Sequence, residues 1–315
     1  MADVALSNDP LWPRAGDWPA PESLDPGASA RLALLGVPAW RTSLSPTNAH
    51  TTPAAVRQAL RRYSPALVPD RQSTAREPGR DTVDLGEQVV VDAGDIVEPD
   101  GPEGEARTRA RVAELLERAE TVMAIGGDNS VTVATALGAY GDRLDTAGLI
   151  TIDAHYDLRD GVSNGSPVRR LVEAGLDPRR IVQIGIADFA NSAVYARRAA
   201  ELGITVVHRD ELHGRRPADV MAEALEIAGA AGGPVHFDID VDACDRSVVP
   251  GCPASMPGGL AAWELRALVR AAGRDPRVVS ADLAEVDASV DTPDGRTVRL
   301  TALCVLEFLA GVAAR

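Results

Sequence analysis

The chain has 315 residues, 45% of them hydrophobic, and a mean hydropathy of −0.06, enough to bury one large α/β core. Its formal net charge of −14 and pI near 4.8 exclude nucleic acid and anionic membrane as partners, because phosphate binding needs a basic surface. All 32 basic residues are Arg, which removes Schiff-base chemistry and the lysine of a phosphate-binding loop.

Residues 1–27 are rich in Pro, Asp and Trp without periodicity and read as an N-terminal arm; residues 28–315 read as one domain. A buried first strand is predicted over 32–38, and Thr52-Pro53 opens a helix. Residues 64–81 and 98–105 read as polar connections, 89–95 as a strand and turn, and 106–119 as an amphipathic helix. From there strands at 121–125, 147–152, 181–185, 204–207, 235–240 and 278–283 alternate with helices from Ser130 and over 168–174, 193–202, 217–231, 261–272 and 298–313. Such alternation predicts a mainly parallel sheet with helices on both faces. Cys244, Cys252 and Cys304 lack Cys-x-x-Cys spacing and fit a reducing cytoplasm; no basic leader follows Met1 and no apolar run nears the ~18 residues of a membrane span.

The chemistry lies where strands end. Gly126-Gly127-Asp128-Asn129-Ser130, Asp153-Ala154-His155-Tyr156-Asp157 and Asp238-Ile239-Asp240 each follow an apolar run, which places carboxylates at the ends of parallel strands, where open α/β sheets bind their ligands. Alternate residues of an extended segment project to one side, so Asp153, His155 and Asp157 converge, and Asp238 and Asp240 repeat the geometry. Hard oxygens with one imidazole suit Mn²⁺ or a similar divalent ion, and four Asp with one His suit a pair of ions. His236 shares the strand parity of Asp238 but lies deeper, and reads as a packed, hydrogen-bonded residue.

These motifs, with Pro257-Gly258-Gly259-Leu260, resemble those of the arginase and agmatinase superfamily, the metal-dependent ureohydrolases, in sequence order and over most of the chain. The resemblance implies a single three-layer αβα domain and two Mn²⁺ ions, one held by Asn129, Asp153, Asp157 and Asp238, the other by Asp153, His155, Asp238 and Asp240. It further implies catalytic roles for Asp157 and for Glu285, which would pair with a cationic substrate carbon, and assembly into a homo-oligomer. Asn129 and Asn164 stand where arginases carry His. An amide is a weaker ligand than imidazole and cannot exchange protons near neutral pH, so the Asn129 site should hold its ion less tightly.

Both Asn residues, with the segments 160–170 and 183–192, resemble the formimidoylglutamase branch, which implies Mn²⁺-dependent hydrolysis of N-formimino-L-glutamate to L-glutamate and formamide in histidine degradation. A dicarboxylate substrate calls for local positive charge, and Arg159 is placed to supply it, with Asn164 and Asn191 as further hydrogen-bonding residues. Relatives of this branch have Arg at the position of Ala187, so a carboxylate contact is either missing or supplied elsewhere. The segment 238–251 is longer than its arginase counterpart; within it Arg246 is either a replacement cation or a loop residue, and Cys244 and Cys252 read as buried small side chains. Two rivals stand beside this reading: a guanidino hydrolase releasing urea, and a non-catalytic ureohydrolase-like protein.

Overall fold

The computed structural model describes residues 9–67 and 83–315. Residues 1–8 of the expected arm and most of the 64–81 connection lie outside the described residues. Among the described residues, ten strands and eight α-helices follow one another: β1 (Leu32–Val37), α1 (Thr52–Leu60), β2 (Ala66–Leu67), β3 (Val83–Asp84), β4 (Val90–Asp95), α2 (Gly101–Leu116), β5 (Val122–Gly126), α3 (Val131–Tyr140) and β6 (Gly148–Ile152). Then come α4 (Pro167–Ala174), β7 (Ile181–Ile186), α5 (Ala193–Leu202), β8 (Thr205–His208), α6 (Pro217–Ala228), β9 (Val235–Asp240), α7 (Ala262–Gly273), β10 (Val278–Ala284) and α8 (Arg296–Val312).

Eight strands form one sheet in the order β4-β1-β5-β10-β9-β6-β7-β8, and every pairing within it is parallel. The order explains the sequence: strands buried on both faces read as continuous apolar runs without alternation. Residues of alternate parity then enter separate cores. Ile150, Ile152, Phe237 and Ile239 join the larger cluster with α6, α7 and α8 residues such as Met221, Leu268 and Phe308. Leu149 and Ile181 turn the other way, onto Tyr140 of α3 and Leu171 of α4.

One boundary differs from expectation. Helix α2 begins at Gly101, inside the segment read as a connection, with Pro102 in its first turn and Glu103 beside it. Pro is tolerated there because the first N–H groups of a helix have no internal partner, and an acidic side chain suits the positive end of the helix dipole. Residues 9–27 lie along the domain: Ala15 N–H donates to Tyr63 O and Asp92 N–H to Pro19 O, both 2.9 Å.

The order also fixes where chemistry can occur. Strands β5 and β6 are separated by β10 and β9, which arrive last in the chain, so four adjacent strand ends present segments far apart in sequence. Asn129 follows β5, Glu285 follows β10, Asp240 ends β9, and Asp153 follows β6.

Candidate functional site

Register decides which of the alternating aspartates of β9 reaches the carboxyl end of the sheet. Thr151 pairs with Asp238 and Ile152 with Ile239, so Asp153, one step past β6, is level with Asp240, and His155 with Asp242. His155 Nδ1 lies 2.8 Å from Asp242 Oδ2 and 3.5 Å from Asp153 Oδ1. One ligand atom from each of Asp153, His155 and Asp242 falls within 4.8 Å of the others. Asp240 stands beside them, its Oδ1 accepting the Asp242 N–H at 2.8 Å. Asp242 Oδ1 in turn accepts the Ala154 N–H at 3.0 Å, tying the β9 and β6 ends together.

Asp238 lies one strand period deeper, in register with Asp282 of β10. Asp242, and not Asp238 of the expected pair Asp238 and Asp240, is thus the carboxylate that meets His155, because side chains of a strand repeat every second residue and the run Asp238-Ile239-Asp240-Val241-Asp242 offers two overlapping frames. The surplus length of 238–251 was the signal: counted from Asp240, the segment is two residues shorter. Below the site, His236 bridges Ser280 (Nδ1 to Oγ, 2.7 Å) and Asp282 (Nε2 to Oδ2, 3.0 Å), and is a packed residue as the sequence suggested.

Glu285 and Asp157 face one another across Asn129. The Asn129 N–H donates to Glu285 Oε1 and its Nδ2 to Asp157 Oδ2, both 2.8 Å, while Asn129 Oδ1 accepts from Thr132 Oγ1 at 3.1 Å. The amide thus turns its nitrogen to the carboxylates and its oxygen to α3. Asp157 (φ 52°) and Glu285 (φ 65°) both hold left-handed backbone, a costly conformation for residues with a Cβ that persists where the surroundings impose it. The turn that presents Asn129 needs Gly127: a Cβ there would lie 1.6 Å from Ala39 O, and Gly127 O accepts the Glu285 N–H at 2.9 Å.

Of the residues expected to hold substrate, two are spent on the protein. Asn191 Oδ1 accepts the Tyr156 N–H (3.1 Å) and its Nδ2 donates to Ala154 O (2.8 Å) and Ala187 O (3.3 Å), so it staples the β6 and β7 loops and offers no free amide. Asn164 donates through Nδ2 to Glu285 Oε1 (2.8 Å) and accepts the Leu44 N–H at Oδ1 (3.0 Å). Arg159 is exposed, and its stem crosses Gly165 closely enough that a Cβ there would meet Arg159 Cδ at 2.7 Å. Arg246 is a loop residue, its Nη1 donating to Cys252 O (2.7 Å) and Pro253 O (3.1 Å). Cys244 and Cys252 are buried, and burial raises both thiols well above their ordinary range.

Electrostatics mark the cluster as a place for positive charge. Burial raises Asp153 to about 6, and raises Asp157 and Asp240 well above the usual carboxylate range, with neighbouring carboxylates adding to each. Burial and Asp128 raise Glu285 to about 8. Asp242 lifts His155 to about 12, with Asp153 contributing; for Asp242 itself burial pushes upward, but His155 outweighs it and holds the carboxyl low. The residues fit a divalent cation: the donors are hard oxygens with one imidazole, and Asp153 Oδ2 is buried without a hydrogen-bond partner.

Comparison with known proteins shows the family and the fold. The profile of the arginase family matches residues 30–311. The formimidoylglutamase of Halalkalibacterium halodurans is 31% identical over 289 residues, covering 89% of this chain and 86% of that protein. The crystal structure of formimidoylglutamase from Bacillus subtilis superposes with a TM-score of 0.83 at 27% identity, covering 98% of this chain and 94% of that one. A Trypanosoma cruzi formiminoglutamase crystallised with Mn²⁺ shares the fold, with a TM-score of 0.79 at 24% identity over 95% of this chain and all of that one, 100%.

Proposed function

The chain belongs to the arginase family, and from that membership we propose that it hydrolyses N-formimino-L-glutamate to L-glutamate and formamide, as a Mn²⁺-dependent enzyme of histidine degradation. The observation that carries the reading is the convergence of Asp153, His155 and Asp242 with Glu285 at adjacent strand ends, in a chain 31% identical to a formimidoylglutamase over nearly its whole length. The same reading makes the protein a cytoplasmic homo-oligomer whose residues 1–27 form an arm. Among the described residues no helix is long and apolar enough to cross a membrane.

Asp153, Asp157, Asp240, Asp242 and His155 would hold two Mn²⁺ ions, which supply Lewis acidity that makes a water molecule nucleophilic near neutral pH. The side lacking an imidazole, near Asn129, holds its ion less tightly. Glu285 takes the cationic formimino group: Oε1 is already held by Asn129 and Asn164, which directs Oε2 toward the amidinium, and a buried carboxyl raised to about 8 regains its charge when that cation arrives. Water adds to the formimino carbon, the bond from that carbon to the glutamate nitrogen breaks, and the nitrogen takes up a proton. Asp157, oriented by Asn129, carries that proton from the water to the leaving amine. Arg159, resting on Gly165 beside Asn164, receives a carboxylate of the glutamate part.

The test is incubation of Mn²⁺-loaded protein with N-formimino-L-glutamate, arginine or agmatine, measuring formamide and urea. Formamide from the first compound alone is expected. Urea from either of the others would move the protein to the guanidino hydrolases, and neither product from folded, metal-loaded protein would make it non-catalytic.

A further inference from the structure

We infer that Asn164 is a positioning residue that latches the loop at Thr42 and Leu44 to Glu285, so that this loop helps to fix the orientation of the amidinium-binding carboxylate. The inference rests on the proposed function for what Glu285 binds, while the latch itself rests on hydrogen bonds alone.

Three contacts build it. Asn164 Nδ2 donates to Glu285 Oε1 at 2.8 Å, Asn164 Oδ1 accepts the Leu44 N–H at 3.0 Å, and the Asn164 N–H donates to Thr42 O at 3.3 Å. The orientation of the amide is not arbitrary. An N–H faces one end and a carboxylate oxygen the other, so only Oδ1 toward Leu44 and Nδ2 toward Glu285 satisfies both. The loop is already anchored on its far side, where Asp100 Oδ1 accepts the N–H groups of Trp40 (3.0 Å) and Arg41 (2.8 Å). Leu44, by contrast, is 57% exposed, and Asn164 is what its backbone N–H holds. Replacing the Asn164 side chain therefore frees the Leu44 N–H and releases one of the two donors on Glu285 Oε1, while the backbone contact to Thr42 stays.

The amide also explains why Asn suits this position. It offers a donor and an acceptor together and keeps both across the whole pH range. It lies next to Gly165, over which Arg159 passes, so loop tip, amidinium acceptor and candidate carboxylate anchor share one short segment.

Two substitutions separate the arms. Asn164→Leu removes both, and amide hydrogen exchange at Leu44 should speed up by about tenfold or more, with kcat falling. Asn164→Asp keeps an acceptor for Leu44 but sets a like charge against Glu285 Oε1. In it, Leu44 should stay protected while kcat falls by about tenfold to a hundredfold, as expected for a lost hydrogen bond to a charged group, and KM does not rise because the added carboxylate still attracts the cation. Unchanged Leu44 exchange in Asn164→Leu, or an unchanged kcat in Asn164→Asp, overturns the latch. If Asn164→Leu fails to fold, Asn164→Ser, too short to reach Leu44 or Glu285, takes its place. Exchange at Leu44 is read without turnover, so an inactive wild-type protein would sink the proposed function while the latch is still decided at that amide.

Discussion

At the scale of single residues, the site depends on which aspartates of β9 point where. Asp242 faces His155 at 2.8 Å, whereas Asp238 is level with Thr151 and Asp282, a strand period below. Their substitutions should differ accordingly. Asp242→Asn should lower Mn²⁺ affinity by at least about tenfold, by analogy with the loss of groups that hold metal ligands in place. Asp238→Asn should leave the Mn²⁺ stoichiometry of the wild type, since Asp238 lies a strand period below Asp240, in register with Asp282. Isothermal titration with Mn²⁺ and metal analysis after desalting measure both, and equal losses in the two variants would reject the frame set by the register. Asn129, Asn164 and Asn191 carry a related lesson. The sequence reads all three as ligand or substrate groups, and in the structure their amides join loops and hold carboxylates, because a side chain with both donor and acceptor suits a junction between backbone and carboxylate.

At the scale of elements, the strands were legible in sequence because parallel strands buried on both faces must be apolar throughout, and the observed β5, β6, β9 and β10 fall within one or two residues of the predicted runs. The turns were less so. The β5–α3 turn needs a residue without a side chain at Gly127, since Ala39 O occupies the space of a Cβ. Gly127→Ala should cost about 1–3 kcal/mol, the usual penalty of overpacking, and should displace Asn129 and Glu285 together. Urea denaturation gives the first quantity and Mn²⁺ titration reports the second. Stability and metal binding equal to the wild type would show that the turn has room the structure does not grant it. The loop at 40–48 carried no sequence signal at all: its contacts to Asp100, Asp128, Asn164 and Asp287 join positions far apart in the chain.

At the scale of the whole molecule, the protein concentrates buried acid at one end of the sheet, and its stability should show it. In metal-free protein the folded state holds protons that the unfolded chain has released: Asp153 rises from 3.8 to about 6 and Glu285 from 4.5 to about 8. More protons bound in the folded state means that stability falls as pH rises through this window, from about 4 to about 8. His155, raised from 6.5 to about 12, acts in the same direction: its contribution is complete below 6.5 and is lost as pH rises toward 12. Calorimetry of metal-free protein should therefore show Tm decreasing between about pH 5 and about pH 8, and saturating Mn²⁺ should raise Tm and remove most of that slope. A Tm that rises with pH in the metal-free protein would contradict the assignment of buried, protonated carboxyls.

The sequence by itself determined the fold class, the family and the strand ends at which the acidic side chains gather, because apolar periodicity and motif order are properties of the chain alone. It also supplied Asp153, His155, Asp157, Asp240 and Glu285, each of which stands at or beside a strand end in the structure. Only the tertiary structure decided that Asp242 and not Asp238 meets His155, and that Asn164 joins a distant loop to Glu285. A strand repeats every two residues, so sequence spacing leaves its frame open until neighbouring strands fix the register, and a contact across 121 residues leaves no local trace.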